Sequence, residues 1–82
     1  MSIRQSFETP APEDYLSLRL RSGMGEKDRT RSETALNNSL FTVSIYDGDT
    51  LIAFGRIIGD GGITYVVSDI MVDASYQRKG YG

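Results

Sequence analysis

The sequence predicts an α+β fold in the order strand, helix, helix, and then three strands that form an antiparallel meander. Two observations favour this order. Before residue 40, apolar residues follow helical spacing behind helix-start signals. After residue 40, apolar and polar residues alternate in three runs separated by glycine-containing turns. The chain has 82 residues, of which 39% are hydrophobic, so its length and composition predict one small globular domain.

The first half begins with a short predicted strand at residues 3–7, where apolar and polar side chains alternate. Residues 9–14 predict a helix start, because proline is tolerated in a first turn and acidic residues suit the positive end of the helix dipole. The predicted apolar stripe of this helix comprises Tyr15, Leu16, Leu18 and Leu20. We expect the helix to end at Ser22 and Gly23.

A second short helix is predicted to open at residues 30–33, where Thr30 and Glu33 have the spacing of a capping box. It is expected to continue through Leu36 and to end near Asn37. A charged, glycine-containing linker at residues 24–29 joins the two helices.

The three strands of the meander follow. In the first, Phe41, Val43 and Ile45 alternate with polar residues and are expected to form the buried face. Asp47 and Gly48 predict a hairpin turn. The second strand spans residues 51–58 and has an interior glycine, which indicates a bulge or a close backbone approach. The third spans residues 65–72 and is predicted to be the most buried. The intervening loop at residues 59–62 lacks a following helix signal and is predicted to be a hairpin loop.

Composition excludes several kinds of chemistry. The chain contains no cysteine and no histidine, which removes disulfides, thiolate and imidazole catalysis, and metal sites built from these residues. We expect no metal. The net charge is −2, which disfavours nucleic-acid binding. No signal peptide and no membrane-length apolar run is visible, so we expect a cytoplasmic protein that does not contact membranes.

A run of basic residues in the first half is interleaved with acidic residues, and a solvated helical face explains it better than an RNA-binding patch. Its members are Arg19, Arg21, Lys27, Arg29 and Arg31.

The last residues form the most informative stretch. Gly80 and Gly82 are separated by one residue, and such spacing lets successive N–H groups point into one concavity that binds phosphate oxygens. Arg78 and Lys79 add positive charge beside it.

An apolar strand, Ser68-Asp69-Ile70-Met71-Val72, precedes this stretch by a four-residue turn, and the stretch itself reads Gln77-Arg78-Lys79-Gly80-Tyr81-Gly82. Together they resemble the acetyl-CoA signature of the GNAT N-acetyltransferase superfamily: Gln or Arg, two variable residues, Gly, one variable residue, then Gly or Ala. The resemblance implies an αβα-sandwich type of α+β fold. It covers the whole chain but only the first half of the family's fold, so we expect residues 1–82 to form a single, partial acetyltransferase domain that lacks the C-terminal half.

The resemblance also implies a function. Members transfer an acetyl group from acetyl-CoA to a primary amine, which attacks the thioester directly. The strand positions that match the pantetheine-binding segment are Ile70, Met71 and Val72. The positions that match the diphosphate-binding loop are Gln77, Arg78, Lys79, Gly80, Tyr81 and Gly82. Asp69 is the candidate general base, and the alternative is that it is a structural hydrogen-bond acceptor or faces solvent.

Substrate-binding groups are often in the helix–helix region of the family, which points to residues 24–31. The acceptor is expected to be an amine of a small molecule or a peptide. The tyrosines are expected to serve packing, and they are Tyr15, Tyr46, Tyr65, Tyr76 and Tyr81.

Two further expectations concern the missing half. The carboxylate of Gly82 would stand near the diphosphate, at a cost of about 2–3 kcal/mol, and a lost helix dipole would remove about 0.3–1 kcal/mol more. We therefore expect weak acetyl-CoA binding and no measurable turnover. The alternative function is a non-catalytic, self-associating fragment that forms a homodimer through an exposed strand edge.

Overall fold

The computed structural model describes residues 2–79, and in that range it confirms the predicted order of elements. The strands are β1 (Ile3–Ser6), β2 (Phe41–Asp47), β3 (Thr50–Gly59) and β4 (Tyr65–Val72). The helices are α1 (Pro12–Arg21) and α2 (Arg29–Asn37), and a 3₁₀ turn (Ala74–Lys79) follows β4.

The strands form one antiparallel sheet in the order β1-β2-β3-β4, so the meander is directly observed. Both helices pack on the same face of this sheet. The core lies between the helices and the sheet and consists of Tyr15, Leu18, Leu36, Leu51, Phe54 and Met71. Tyr15 meets Phe54 edge to face, with ring centroids 5.5 Å apart. The fold class predicted from the sequence is therefore confirmed.

The observed burial of two strands, β2 and β4, differs from the prediction. In β2 the buried residues are Thr42 and Ser44, which lie on the helix side, whereas Phe41 is 47% exposed. The prediction that Phe41, Val43 and Ile45 form the buried face is wrong, because the helices cover the other face of the sheet. Val43 and Ile45 are only half-buried, and Phe41 contacts the ring of Phe7. The most buried strand is β3 rather than β4. Val67 and Ile70 of β4 are 64% and 63% exposed.

The predicted irregularity at Gly55 is confirmed, and it involves the neighbouring strand. Phe54 pairs with Met71 and Arg56 pairs with Ser68, so two residues of β4 lie opposite Gly55 alone. One of the two, Asp69, has a φ of 48°, which is the left-handed conformation that a bulge can require. A Cβ atom on Gly55 would lie 3.4 Å from Cδ1 of Ile70. The bulge thus sets the backbone position and conformation of Asp69 within β4.

The helices differ from the predictions in detail. The N-cap of α2 is Asp28, whose carboxylate accepts a hydrogen bond from the backbone N–H of Arg31 at 2.8 Å, so the capping box predicted at Thr30 is wrong. In α1, Leu20 is 57% exposed, and Arg19 takes its predicted place on the buried stripe with 5% exposure. Arg19 lies one turn after Tyr15, on the face that contacts the sheet.

Asp73 organises the turn after β4. Its carboxylate accepts hydrogen bonds from the backbone N–H and the hydroxyl of Ser75, at 2.9 and 2.7 Å. It also pairs with Arg21, at the end of α1. The second guanidinium nitrogen of Arg21 donates to the carbonyl of Leu51 at 3.0 Å. Burial acts to raise the pKa of Asp73, but the hydrogen bonds from Ser75 and the contact with Arg21 outweigh it and lower that pKa.

Candidate functional site

A cleft of about 400 Å³ opens between the two helices and the bulged part of the sheet. Side chains of α1, the helix–helix linker, α2, β3 and β4 line it. They are Tyr15, Arg19, Lys27, Asp28, Arg31, Ser32, Ala35, Arg56 and Asp69. The cleft therefore joins the linker predicted to bind substrate to the residue predicted to act as the base.

Asp69 is the centre of the polar network in this cleft. Its Oδ2 atom accepts hydrogen bonds from the hydroxyl of Tyr15 and from Nε of Arg56, both at 2.7 Å. Its Oδ1 atom lies 3.6 Å from Nη1 of Arg19. All three charged side chains are largely buried, with 12% of Asp69, 6% of Arg19 and 13% of Arg56 exposed. In the structure Asp69 is therefore a structural hydrogen-bond acceptor, which is one of the alternatives predicted for it.

The surroundings of Asp69 set its protonation. Burial acts to raise its pKa, but the hydrogen bonds from Arg56 and Tyr15 and the charges of Arg56 and Arg19 outweigh it, so the pKa lies below the usual value. The carboxylate is therefore charged at neutral pH. For Tyr15, burial and the hydrogen bond to Asp69 raise the pKa of the phenol, so its hydroxyl is a stable donor.

The two arginines of this network are Arg19 and Arg56, and neither was predicted from the sequence to belong to the site. The prediction of a solvated basic face is wrong for Arg19, which is buried, and for Arg21, which is partly buried against Asp73. The spacing of Tyr15, Leu18 and Arg19 was the available signal, because these residues share one face of a helix. Arg56 had no comparable signal, since its contact with Asp69 depends on the register of β3 and β4.

The segment predicted to bind the coenzyme follows Asp69 directly. Ile70, Met71 and Val72 belong to β4, which lies at one edge of the sheet formed by residues 2–79. The side-chain amide of Gln77 donates to the carbonyl of Val72 at 3.0 Å, and so folds the start of the signature against the end of the strand. Gly80, Tyr81 and Gly82 lie outside the described residues, as do the side chains of Arg78 and Lys79.

Residues 2–79 contain neither a helix suited to span a membrane nor a group of potential metal ligands. Neither helix has the length and apolar character that crossing a membrane requires. The described side chains form no cluster of three or more potential metal ligands.

Comparison with known proteins identifies the family of the chain. The model of the acetyltransferase (GNAT) family matches residues 1–82. Two helices packed on one antiparallel sheet are thus an acetyltransferase type of α+β fold. The chain belongs to the GNAT acetyltransferase family. The comparison with curated proteins found no match.

Solved structures resemble the chain over nearly its full length. A probable acetyltransferase from meticillin-resistant Staphylococcus aureus is 46% identical, with a TM-score of 0.90 over 96% of this chain and 59% of that one. A GNAT family acetyltransferase from Streptococcus pneumoniae is 31% identical, with a TM-score of 0.80 over 96% of this chain and 58% of that one. An aminoglycoside 6'-N-acetyltransferase, solved with coenzyme A, shares the fold at 23% identity, with a TM-score of 0.73 over 100% of this chain and 49% of that one. The chain thus spans 49% to 59% of the length of these structures.

Proposed function

We propose that this chain carries the coenzyme strand and part of the acceptor site of an N-acetyltransferase that uses acetyl-CoA and acetylates a primary amine. The observation that carries the proposal is the position of Asp69. Asp69 lines the polar cleft and directly precedes Ile70 to Val72, the segment of β4 that is proposed to bind the coenzyme. An acyl thioester lying along that segment would meet an amine held in the cleft.

The proposed reaction is direct acyl transfer. The amine nitrogen attacks the thioester carbonyl carbon, the carbon–sulfur bond breaks, and coenzyme A leaves as a thiolate that takes up a proton. The attacking amine must be neutral. Nearby positive charge favours the neutral form of an amine, and the arginines of the cleft supply such charge.

Asp69 is proposed to act on the amine through its Oδ1 atom, since Oδ2 already accepts two hydrogen bonds. A carboxylate with a lowered pKa is a weak base, so we propose that it orients the amine and that the released proton continues to solvent. In this role Asp69 touches the reacting group, as the prediction of a catalytic carboxylate requires.

Titration with acetyl-CoA, followed residue by residue in ¹H–¹⁵N NMR spectra, tests the coenzyme site. We expect binding weaker than micromolar, with the largest shifts at the amides of Ile70, Met71, Val72 and Gln77. Gly80→Ala should weaken this binding about tenfold, because a Cβ atom hinders the approach of phosphate to the backbone.

Gly62→Ala is the matched control for this titration, since Gly62 lies in the β3–β4 loop and its Cβ would make only an ordinary contact of 3.5 Å with Asp60. It should bind acetyl-CoA as the unmodified chain does. Shifts that avoid β4 and Gln77 at saturating acetyl-CoA would contradict the proposal.

A second candidate function, self-association through β4, is favoured by the exposure of Val67 and Ile70 on an edge strand. Sedimentation velocity at increasing concentration should then show dimers, and Val67→Lys should abolish them. Ile63→Lys is the matched control, because Ile63 is 92% exposed but lies in the β3–β4 loop. A monomer at every concentration would exclude this function.

A further inference from the structure

The cleft carries an excess of positive charge in a chain whose net charge is −2. Four cationic side chains line it, and they are Arg19, Lys27, Arg31 and Arg56. The two acidic residues of its lining are Asp28 and Asp69. Four positive and two negative charges leave a local excess of two positive charges.

Neither carboxylate neutralises the cations at the mouth of the cleft. Asp69 is engaged deep in the cleft by Arg19 and Arg56. Asp28 accepts a hydrogen bond from the backbone of Arg31 as the N-cap of α2, which leaves the guanidinium of Arg31 outside that contact. Among residues 2–79, the side chains of Lys27 and Arg31 make no hydrogen bond and no ion pair.

Arg56 adds a donor to these two cations. Its Nε atom is bonded to Asp69 and its Nη1 atom to the hydroxyl of Ser39, at 3.3 Å. No described atom accepts from its Nη2. A guanidinium held on two sides is a rigid donor, and its fork suits the oxygens of a carboxylate or a phosphate.

We infer that the acceptor amine carries an oxyanion group, a carboxylate or a phosphate, which the Lys27, Arg31 and Arg56 side chains bind while the amine faces Asp69. This inference rests on the proposed acetyltransferase function and specifies its substrate class.

Amines that differ only in the remote group test the inference by NMR titration of the chain without acetyl-CoA. The probes are 4-aminobutyrate for a carboxylate, phosphoethanolamine for a phosphate, butylamine for an uncharged tail and 1,4-diaminobutane for a cation. We expect 4-aminobutyrate or phosphoethanolamine, or both, to bind at least tenfold more tightly than butylamine, and 1,4-diaminobutane to bind least. The affected amides should be those of residues 27–32 and Asp69.

Charge-removing variants give the decisive comparison. Lys27→Gln and Arg31→Gln should each weaken the binding of the better anionic probe by about fivefold, the upper effect of one solvent-exposed ion pair. Arg29→Gln is the matched control. Arg29 belongs to the same helix turn, but it pairs with Glu13 and does not line the cleft. All three positions are exposed, so folding is preserved.

The outcomes separate this inference from the function on which it rests. Equal binding of butylamine and both anionic probes, or equal losses in Arg29→Gln and Arg31→Gln, would overturn the oxyanion site even if acetyl-CoA shifts the amides of β4. Anion selectivity in a chain that fails to bind acetyl-CoA along β4 would instead uphold the anion site and reject the acetyltransferase function. The better of the two anionic probes identifies the oxyanion as carboxylate or phosphate.

Discussion

Replacing Asp69 with alanine is expected to lower the free energy of unfolding by about 3–5 kcal/mol, because it leaves the buried guanidinium groups of Arg19 and Arg56 without their shared counter-ion. Tyr15 would lose its acceptor as well. A domain of this size is stable by only about 4–12 kcal/mol, so the variant should be largely unfolded in mild denaturant. Urea unfolding followed by circular dichroism measures the effect.

Two further variants assign the cause of that loss. Asp69→Asn keeps the shape of the side chain and suits the left-handed backbone at this position, but it removes the charge. It should fall between the parent chain and Asp69→Ala. Asp49→Ala changes an exposed aspartate in the β2–β3 turn and should shift stability by about 0.5 kcal/mol or less. An Asp69→Ala variant as stable as Asp49→Ala would show that the ion pairs of Asp69 with Arg19 and Arg56 contribute nothing to the free energy of unfolding.

Gly59→Ala is expected to be the second most damaging change, at about 3 kcal/mol. A Cβ atom on Gly59 would lie 2.0 Å from the carbonyl oxygen of Thr64, far inside contact distance. The contacted oxygen belongs to the backbone and cannot move aside as a flexible side chain would, so the ends of β3 and β4 would have to separate. The urea midpoint should fall accordingly.

Gly62→Ala is the natural comparison, because Gly62 lies in the loop that follows Gly59 and has room for a methyl group. It should change the unfolding free energy by no more than about 0.5 kcal/mol. The loop itself is held by Asp60, whose Oδ1 atom accepts from the N–H groups of Gly62, Ile63 and Thr64. If Gly59→Ala and Gly62→Ala unfold at the same urea concentration, the close approach at Gly59 has no energetic weight.

The order of the elements and most of their limits were predictable from the sequence because local signals specify them. Alternation located β2, β3 and β4, and the Asp47-Gly48 turn joined the first two as expected. The cap of α2 was misplaced by two residues, because Thr30 and Asp28 both suit an N-cap and only the backbone decides between them.

Burial was less predictable than the elements. Phe41 and Ile70 have the side chains of core residues, but burial depends on what covers each face of the sheet, and a strand sequence does not specify that. Within the candidate site, Asp69 was found from its place before the signature. Arg56 was not, since cross-strand partners depend on a bulge that shifts the register by one residue.

That bulge makes the spacing of β4 as important as its composition. The two parts of the strand, before and after Asp69, are out of phase by one residue. Deleting a single residue between Ser68 and Met71 would restore a regular ladder and bring Gly55 opposite one partner. It would keep Ser68 opposite Arg56, but it would remove the left-handed position from which Asp69 reaches Tyr15 and Arg56. Among relatives of this chain, the number of residues between Ser68 and Met71 should therefore be constant, whereas the exposed side chain at position 70 should vary more freely than Asp69.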